Sequence, residues 1–229
     1  MKQFSEEERI RRVWDKEQAK SVICKNMYYM AANERKKALD SLWVKEEPHC
    51  KTASYGKNWG YYVGMDEIRR YYLDGNPFGE KGTMNCHPVA TIRVEEAEDG
   101  KTIRCQWYNA SYESRFINGS LAGLWITEKG NADLIREADG FRIWHYFIGV
   151  DMQLEAGTPY AAQPVDLPDE ENPVAVEFGS PTFKMKAYNT RYNYYPYPSI
   201  PEPYLSYDPA QGCGPEANPN YKNRKGDAS

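Results

Sequence analysis

Ala132-Asp-Leu-Ile-Arg-Glu137 and Phe141-Arg-Ile-Trp-His-Tyr-Phe-Ile-Gly-Val-Asp-Met152 are two β-type segments on either side of the pair Asp139-Gly140. An Asp-Gly pair in this setting is a strong hairpin signal, because glycine adopts positive φ without strain. The two segments are therefore predicted to pair as antiparallel strands.

The sequence upstream of this hairpin predicts another of the same kind. Segments Val89 to Glu96 and Ile103 to Asn109 flank the turn Glu98-Asp99-Gly100-Lys101. The segment from Leu121 to Thr127 is predicted as a further strand between the two hairpins. Residues 88 to 153 thus predict an antiparallel meander.

Residues 1 to about 75 have a helical pattern instead. Ser5 and Glu8 have the spacing of a capping box, in which each satisfies a backbone donor of the other. Ile10, Val13 and Trp14 then follow at helical spacing, and a second helical stretch is predicted from Gln18 to Ala32. A third helix is predicted after the N-cap candidate Asn33, and it ends at Pro48. A short helix is predicted from Asp66 to Leu73.

Helices followed by an antiparallel meander predict an α+β fold, with N-terminal helices packed on a strongly curved antiparallel sheet. Residues 1–156 are predicted to form this domain. Residues 157–229 differ in composition, because 12 of the 15 prolines and nine of the 19 tyrosines lie between Thr158 and Ser229. Disorder is predicted for the last dozen residues. Residues 180–208 are rich in tyrosine, so an extended arm on the surface of this subunit or a neighbour is favoured there.

Charge and composition exclude several classes of function. The chain has 29 basic and 33 acidic residues, and no basic run that would bind duplex DNA or an anionic membrane. No apolar stretch approaches the roughly 20 residues that cross a bilayer. The charged N-terminus shows no signal peptide, and five scattered cysteines fit a reducing compartment, so a cytoplasmic protein is expected.

The order of several motifs resembles the SnoaL-like branch of the nuclear transport factor two-like superfamily over about residues 5 to 153. The motifs are Gly60-Tyr-Tyr-Val-Gly-Met-Asp-Glu-Ile68, His87-Pro-Val-Ala-Thr91, Glu98-Asp-Gly-Lys-Thr102 with Trp107, Asp133-Leu-Ile-Arg-Glu137, and the last strand Asp139-Gly-Phe-Arg-Ile-Trp-His-Tyr146.

This resemblance implies a cone closed by helices around an apolar internal pocket. The same layout is found in lyases such as scytalone dehydratase, bile-acid 7α-dehydratase and the bacterial formaldehyde lyases that act on lignin diarylpropanes. Such relatives use a histidine on the sheet with tyrosines and an aspartate from the helices, and they need no cofactor. The fold also hosts isomerases, polyketide cyclases and binding modules without activity.

The resemblance points to His87 as the catalytic acid–base residue, because it precedes the first long strand. A neutral imidazole can take up and return a proton near pH 7, and a core or strand-end histidine bonded to the backbone is the open alternative. His145 is the second candidate, since alternation with Phe141 and Ile143 would place it on the pocket side, although a structural histidine under the sheet is an open alternative. Tyr28 and Tyr29 lie where related lyases carry a pocket tyrosine, with core packing as the alternative.

The family's helical acid has no counterpart, because Ala31-Ala32-Asn33 occupies its place. Asp133 and Asp151 are the proposed substitutes. For substrate contact, the strand 104–111 offers Trp107 and Asn109 on one face, with Tyr108 on the other. The complete set of predicted substrate-binding residues is Trp59, Trp107, Tyr108, Asn109, Arg115 and Phe147.

A cofactor-independent lyase is the leading hypothesis. It would eliminate water or formaldehyde from an aromatic or polycyclic small molecule, with a lignin-derived diaryl compound as one such substrate. The alternatives are a binding or assembly module without catalytic activity and a ketosteroid-type isomerase or polyketide cyclase. No metal site is expected, because the three histidines are widely separated. A homodimer or homotrimer is expected, with the arm in contact with a neighbouring subunit.

Overall fold

The computed structural model describes residues 3–58, 60–74, 78–157, 183–184, 198 and 200–217. The helices are α1 (Glu6–Ala31), α2 (Arg35–Leu42), α3 (His49–Thr52) and α4 (Met65–Leu73). The strands are β1 (Ser54–Lys57), β2 (Gly60–Val63), β3 (Met84–Cys86), β4 (Ala90–Glu96), β5 (Thr102–Ile117), β6 (Ser120–Glu137), β7 (Gly140–Glu155) and β8 (Phe183–Lys184).

The strands form one curved, unclosed sheet in the order β3-β5-β6-β7-β1-β2-β8, and β4 also pairs with β5. The predicted α+β class and both hairpins are confirmed. The sheet is mixed, however, because β1 runs parallel to β7 and was not predicted as a strand. Both β3 and β4 pair with β5, at different stretches of it. Residues 87–89, which join β3 to β4, therefore lie beside the middle of β5.

Helix α1 begins at the predicted capping box, in which Ser5 and Glu8 each accept a backbone hydrogen bond from the other. It continues without the predicted break as far as Ala31. The early apolar residues Ile10, Val13 and Trp14 are exposed rather than part of the core. The buried side of the first turns carries Asp15 instead, which accepts a 2.6 Å hydrogen bond from Arg136 of β6 and so anchors the helix to the sheet.

The core lies between the helices and one side of the sheet, which we call the helix face. On β5 this face consists of the alternate residues that begin with Ile103, Cys105 and Trp107. Tyrosines contribute an unusual share of this core: Tyr55, Tyr62, Tyr71, Tyr72 and Tyr146 are all buried there.

An extra residue in β7 changes which side chains face the core. Leu134 is paired with Ile143, but the preceding Asp133 is paired with His145, so Trp144 forms a β-bulge. A one-residue shift reverses the alternation of a strand. Ile143 and Tyr146 consequently belong to the core, whereas His145 lies on the opposite side of the sheet. The predicted alternation through Phe141, Ile143 and His145 is therefore wrong.

The opposite side of the sheet, which we call the arm face, is covered in part by residues 198 and 200–217. Arg104 donates to the backbone oxygen of Asp208 and lies 4.3 Å from the ring centre of Tyr204. The backbone N–H of Cys213 donates a 2.7 Å hydrogen bond to Asp133. These described parts of the arm therefore pack on the sheet of their own chain.

The remaining expectations concern the C-terminal tail, the domain boundary and the oligomeric state. The predicted disordered tail falls almost entirely on residues 218–229, outside the described residues. The domain boundary at residue 156 and the homodimer or homotrimer stay predictions. In the described part of the chain, no helix combines the length and apolar character that a membrane span requires.

Candidate functional site

His87 is held between two carboxylates. Its Nδ1 lies 2.6 Å from Oε1 of Glu128 and its Nε2 lies 2.9 Å from Oε1 of Glu113. Glu113 belongs to β5 and Glu128 to β6, whereas His87 follows β3. The imidazole is therefore fixed from both ends, and its side chain retains only 13% exposure.

Glu128 is fixed through one of its oxygens only. Asn109, its cross-strand neighbour, donates a 2.7 Å hydrogen bond from Nδ2 to the same Oε1 that contacts His87. The second oxygen, Oε2, is buried and has no hydrogen-bond partner among the described residues. A buried carboxylate oxygen in this state is available to a ligand or a proton.

The charges of this cluster are strongly coupled. Burial acts against the charged imidazolium, but the charges and hydrogen bonds of Glu128 and Glu113 outweigh it and raise the pKa of His87 to about 9. Burial would also raise the pKa of Glu128, but the charge and hydrogen bond of His87, with Lys57 and Asn109, lower it to about 2. At neutral pH the pair is therefore an imidazolium and a carboxylate, not the neutral imidazole expected from the sequence.

His145, the second predicted catalytic residue, lies on the arm face. Its Nδ1 is 2.8 Å from Oγ of Ser54, and its ring stacks on Tyr207 at 6.0 Å. Burial, with a smaller contribution from His49, lowers the pKa of His145 to about 3. A neutral, covered histidine on the far side of the sheet takes no part in the His87 cluster.

Among the described residues, neither of the two predicted tyrosines of α1 makes a hydrogen bond or a ring contact with His87. Tyr28 is 76% exposed. Tyr29 packs at the margin of the core, with the ammonium of Lys37 4.8 Å from its ring centre. The buried residues of α1 are four or three positions apart and end at Asn26. Tyr29, three positions further, continues this face at the margin of the core, whereas Tyr28 lies off it.

The predicted substrate-binding residues divide between the two faces of the sheet. Trp107 and Asn109 lie buried on the helix face, as predicted from the alternation. Arg115 is buried on the same face, with Nε 3.8 Å from Oε2 of Glu113. Tyr108 and Phe147 lie on the arm face, the former half-exposed and the latter packed on Tyr61 and Cys213. Trp59 lies outside the described residues.

The two carboxylates that contact His87 were not predicted from the sequence. Neither proposed substitute does so, because Asp133 binds the arm and Asp151 lies 3.5 Å from Lys129. The alternation of β5 contains a signal for Glu113. The residues on its helix face are apolar at Ile103 and Cys105 and become polar beyond Trp107, and Glu113 is one of these polar residues. Glu128 required knowledge of the β5–β6 register, which places it opposite Asn109.

A metal ion does not fit this arrangement. Each ring nitrogen of His87 contacts a different carboxylate, and the two carboxylates lie on opposite sides of the ring. The imidazole and the two carboxylates therefore do not point toward a common position that a metal ion could occupy. In the described ranges, no group of three or more His, Cys, Asp or Glu side chains is placed to hold one.

Comparison with known proteins supports the architecture. No protein-family model and no curated protein matches the sequence. Among solved structures, the chain is similar to a hexachlorocyclohexane dehydrochlorinase from Novosphingobium barchaimii, with a TM-score of 0.51, 8% identity, and coverage of 67% of this chain and 97% of that chain. It is also similar to a nuclear transport factor 2-like superfamily protein from Salmonella enterica, with a TM-score of 0.50, 15% identity, and coverage of 65% and 99%. The chain has the nuclear transport factor two-like fold.

In this nuclear transport factor two-like fold, the long strands β5 and β6 carry Asn109, Glu113 and Glu128 on the side covered by the helices. His87, from the connection between β3 and β4, completes the cluster. The fold resemblance predicted from the sequence is thus confirmed. Identities this low establish the fold alone, because the activity of a protein depends on the residues of its site and not on its fold.

Proposed function

We propose that the chain is a cofactor-independent lyase that eliminates water or formaldehyde from an aromatic or polycyclic small molecule. The observation that supports this proposal is the buried pair of Glu128 and His87, a carboxylate with one unpartnered oxygen and an imidazolium 2.6 Å away. An elimination needs a base and an acid at one site, and this pair supplies both.

In the proposed loss of water, the substrate displaces Glu113 from Nε2 of His87. Oε2 of Glu128 takes a proton from carbon, the electrons of the C–H bond form the double bond, and the C–O bond breaks. The departing hydroxyl takes the Nε2 proton of His87 and leaves as water. Loss of the Oε2 proton to solvent and reprotonation of Nε2 restore the starting pair.

Coupling between the two groups makes this exchange feasible although the pKa of Glu128 is about 2 at rest. The positive charge of His87 is what lowers that pKa, while burial of Glu128 acts in the opposite direction. As His87 gives up its proton, the carboxylate becomes a stronger base. A concerted transfer is therefore favoured over prior deprotonation of the substrate.

Formaldehyde would leave by a retro-aldol-type step at the same pair. Oε2 of Glu128 takes the O–H proton of a hydroxymethyl group, the C–C bond breaks to release formaldehyde, and the electrons of that bond take up the Nε2 proton of His87. A lignin-derived diaryl compound is a substrate class to test for this step. The dehydrochlorinase of the same fold is, by its name, also an elimination enzyme. An isomerase or cyclase would use the same pair but return the proton to the substrate. A binding module is favoured by the hydrogen bond between His87 and Glu113, which occupies Nε2 in the absence of substrate.

The test is turnover of a panel of aromatic alcohols and diarylpropanes, followed by mass spectrometry and a colorimetric assay for formaldehyde. We expect His87→Gln and Glu128→Gln to lower kcat by roughly 10²-fold or more. Glu113→Gln should keep kcat within about tenfold, because Glu113 is displaced before reaction. The exposed Glu202→Gln is the matched control.

A pH–rate profile separates the alternatives further. Because His87 must be protonated in the free enzyme, kcat/KM should fall above about pH 9 rather than near pH 6 to 7. In D2O, a product that has the composition of the substrate and has gained only deuterium would indicate an isomerase. Tight binding without product from any compound, in wild type and variants alike, would indicate a binding module.

A further inference from the structure

Arg35, at the start of α2, is a buried arginine without a counter-ion. The residue is 4% exposed, so its guanidinium lies among the helices rather than in solvent. Its Nε has no hydrogen-bond partner, and no carboxylate of the described residues lies within ion-pair distance of the guanidinium. An arginine side chain is always charged, and buried charges in proteins are normally paired. This charge therefore calls for an anion from outside the chain.

The acidic residues closest to Arg35 in the chain have other partners. Glu34 accepts a 2.8 Å hydrogen bond from Lys37, and Asp40 accepts a 3.0 Å hydrogen bond from Arg69. The first turn of α2 contains no acidic residue. The guanidinium of Arg35 instead lies 5.5 Å from the ring centre of Phe78. A cation–π contact is attractive, but the ring leaves the guanidinium N–H donors without an oxygen acceptor.

Aromatic rings connect the position of Arg35 with the His87 cluster. Burial, with the charge of Tyr71, raises the pKa of Tyr72, and the charge of Arg35 opposes this rise, so the guanidinium lies near that hydroxyl. From there, successive ring centres are 5.2 to 5.7 Å apart, in the order Tyr72, Tyr55, Tyr146 and Trp107. Asn109, which binds Glu128, follows Trp107 on the same face of β5. An aromatic substrate between Arg35 and Glu128 would therefore contact aromatic side chains.

A second cation, Lys57, stands on the same side of the sheet. Its ammonium lies 6.0 Å from the ring centre of Tyr55, and its charge, after that of His87, contributes to the low pKa of Glu128. The charge of Lys57 thus acts on a carboxylate of the chain itself. Arg35 is the buried cation whose charge the described residues leave unbalanced.

A single guanidinium is complementary to a carboxylate. Two of its N–H groups can donate parallel hydrogen bonds to the two carboxylate oxygens. A carboxylate also carries one negative charge, which balances the one charge of Arg35. A phosphate ester carries about −1.5 to −2 at pH 7 and would leave negative charge in excess.

We infer that Arg35 binds a carboxylate group of the substrate, so that the site takes an aromatic carboxylic acid whose reacting carbon lies at Glu128 and His87. This inference rests on the proposed function, because it names the substrate class of the same site. Arg35 is then a specificity-determining residue, which holds the substrate at the end away from the reacting atoms.

The test is isothermal titration calorimetry of the full chain with 2-naphthoate, with 2-naphthamide, which has nearly the same shape without the charge, and with 2-naphthyl phosphate. We expect 2-naphthoate to bind at least about tenfold more tightly than 2-naphthamide, because its hydrogen bonds to the buried guanidinium are charge-assisted. The phosphate should bind more weakly than 2-naphthoate.

Variants at position 35 assign the preference to this residue. In Arg35→Met the affinities for 2-naphthoate and 2-naphthamide should agree within about twofold, since the charge is gone. Arg35→Lys should keep only part of the preference, because an ammonium cannot make the bidentate pair. Lys36→Gln is the matched control, since it removes one positive charge from the exposed neighbouring position and should leave the preference unchanged.

Thermal unfolding separates ligand binding from a structural role. Arg35→Met should not lower the unfolding temperature of the ligand-free chain, because it replaces a buried, unpaired charge with an apolar side chain. Saturating 2-naphthoate should raise the unfolding temperature of the wild type but not of Arg35→Met. An arginine with a purely structural role would give the opposite result, a lower unfolding temperature and an unchanged preference between the ligands.

The inference is overturned if 2-naphthamide binds as tightly as 2-naphthoate, if the phosphate binds best, or if none of the three binds with a Kd below about 1 mM. It also fails if Arg35→Met keeps the preference of the wild type. Failure of the proposed function looks different: 2-naphthoate would still bind in preference to 2-naphthamide, to wild type and to His87→Gln, but no member of the substrate panel would be turned over.

Discussion

At the scale of single residues, the main feature is a positive charge on a buried histidine. His87 donates from both ring nitrogens to Glu113 and Glu128. Charge-assisted hydrogen bonds of this kind are stronger than neutral ones, and in a buried setting they favour the ionised form of both partners. The sequence motif around His87 located the residue, but its protonation state depends on two acids that are 26 and 41 positions away.

Replacement of one acid should reveal this dependence. In Glu128→Gln we expect the pKa of His87 to fall from about 9 by more than one unit, because burial, which lowers it, is then opposed by Glu113 alone. Glu113→Gln should cause a smaller fall. NMR titration of the histidine ring signals measures both, with His145, whose pKa is about 3, as a signal that stays constant above pH 5. An unchanged pKa in Glu128→Gln would contradict the assigned pairing.

At the scale of structural elements, one bulge and one arm determine what the sheet presents on each side. The bulge at Trp144 sends Tyr146 into the core and His145 to the arm face. Strand alternation in β5 was predictable and correct, because no bulge interrupts its pairing with β6. In β7 the same reasoning failed, because an inserted residue leaves no clear mark in the hydrophobic pattern.

The arm is the second such element, and its removal has a measurable consequence. Truncation after residue 199 would uncover His145, so we expect its pKa to rise from about 3 toward the ordinary value near 6.5. Unfolding free energy should fall by about 2–4 kcal/mol, since several hydrogen bonds worth about 1 kcal/mol each are lost. NMR titration and urea unfolding check the two effects.

A shorter truncation serves as the control for the arm. Removal of residues 218–229 alone keeps the described contacts of Tyr207 and Cys213 with Asp133, so the pKa of His145 should not change. If His145 remained near pKa 3 in the longer truncation as well, burial by the arm would not be the cause of its low pKa.

At the scale of the whole molecule, the His87 cluster links stability to pH. The pKa of His87 is raised from 6.5 to about 9 on folding, so its contribution is fully present below pH 6.5 and is lost as the pH rises through about 9. A shift from 6.5 to about 9 corresponds to about 3 to 4 kcal/mol. We expect the free energy of unfolding to decline over this interval.

The appropriate comparison is the double variant His87→Gln/Glu128→Gln, in which neither member of the pair can ionise. Urea unfolding from pH 6 to pH 9.5 should show a steeper decline for the wild type than for the double variant. Parallel curves would show that His87 does not carry a raised pKa in the folded chain.

The sequence by itself determined the class of the fold, both Asp-Gly hairpins, the capping box at Ser5 and the resemblance to a known superfamily, because these depend on local spacing and turn chemistry. It also placed Trp107 and Asn109 on one face of their strand, as the structure has them, whereas the catalytic role of His87 stays a prediction. Only the tertiary structure decided the partners of His87 and the side of the sheet on which His145 lies. These depend on strand register and on a bulge, and both are set by packing between segments that are far apart in the chain.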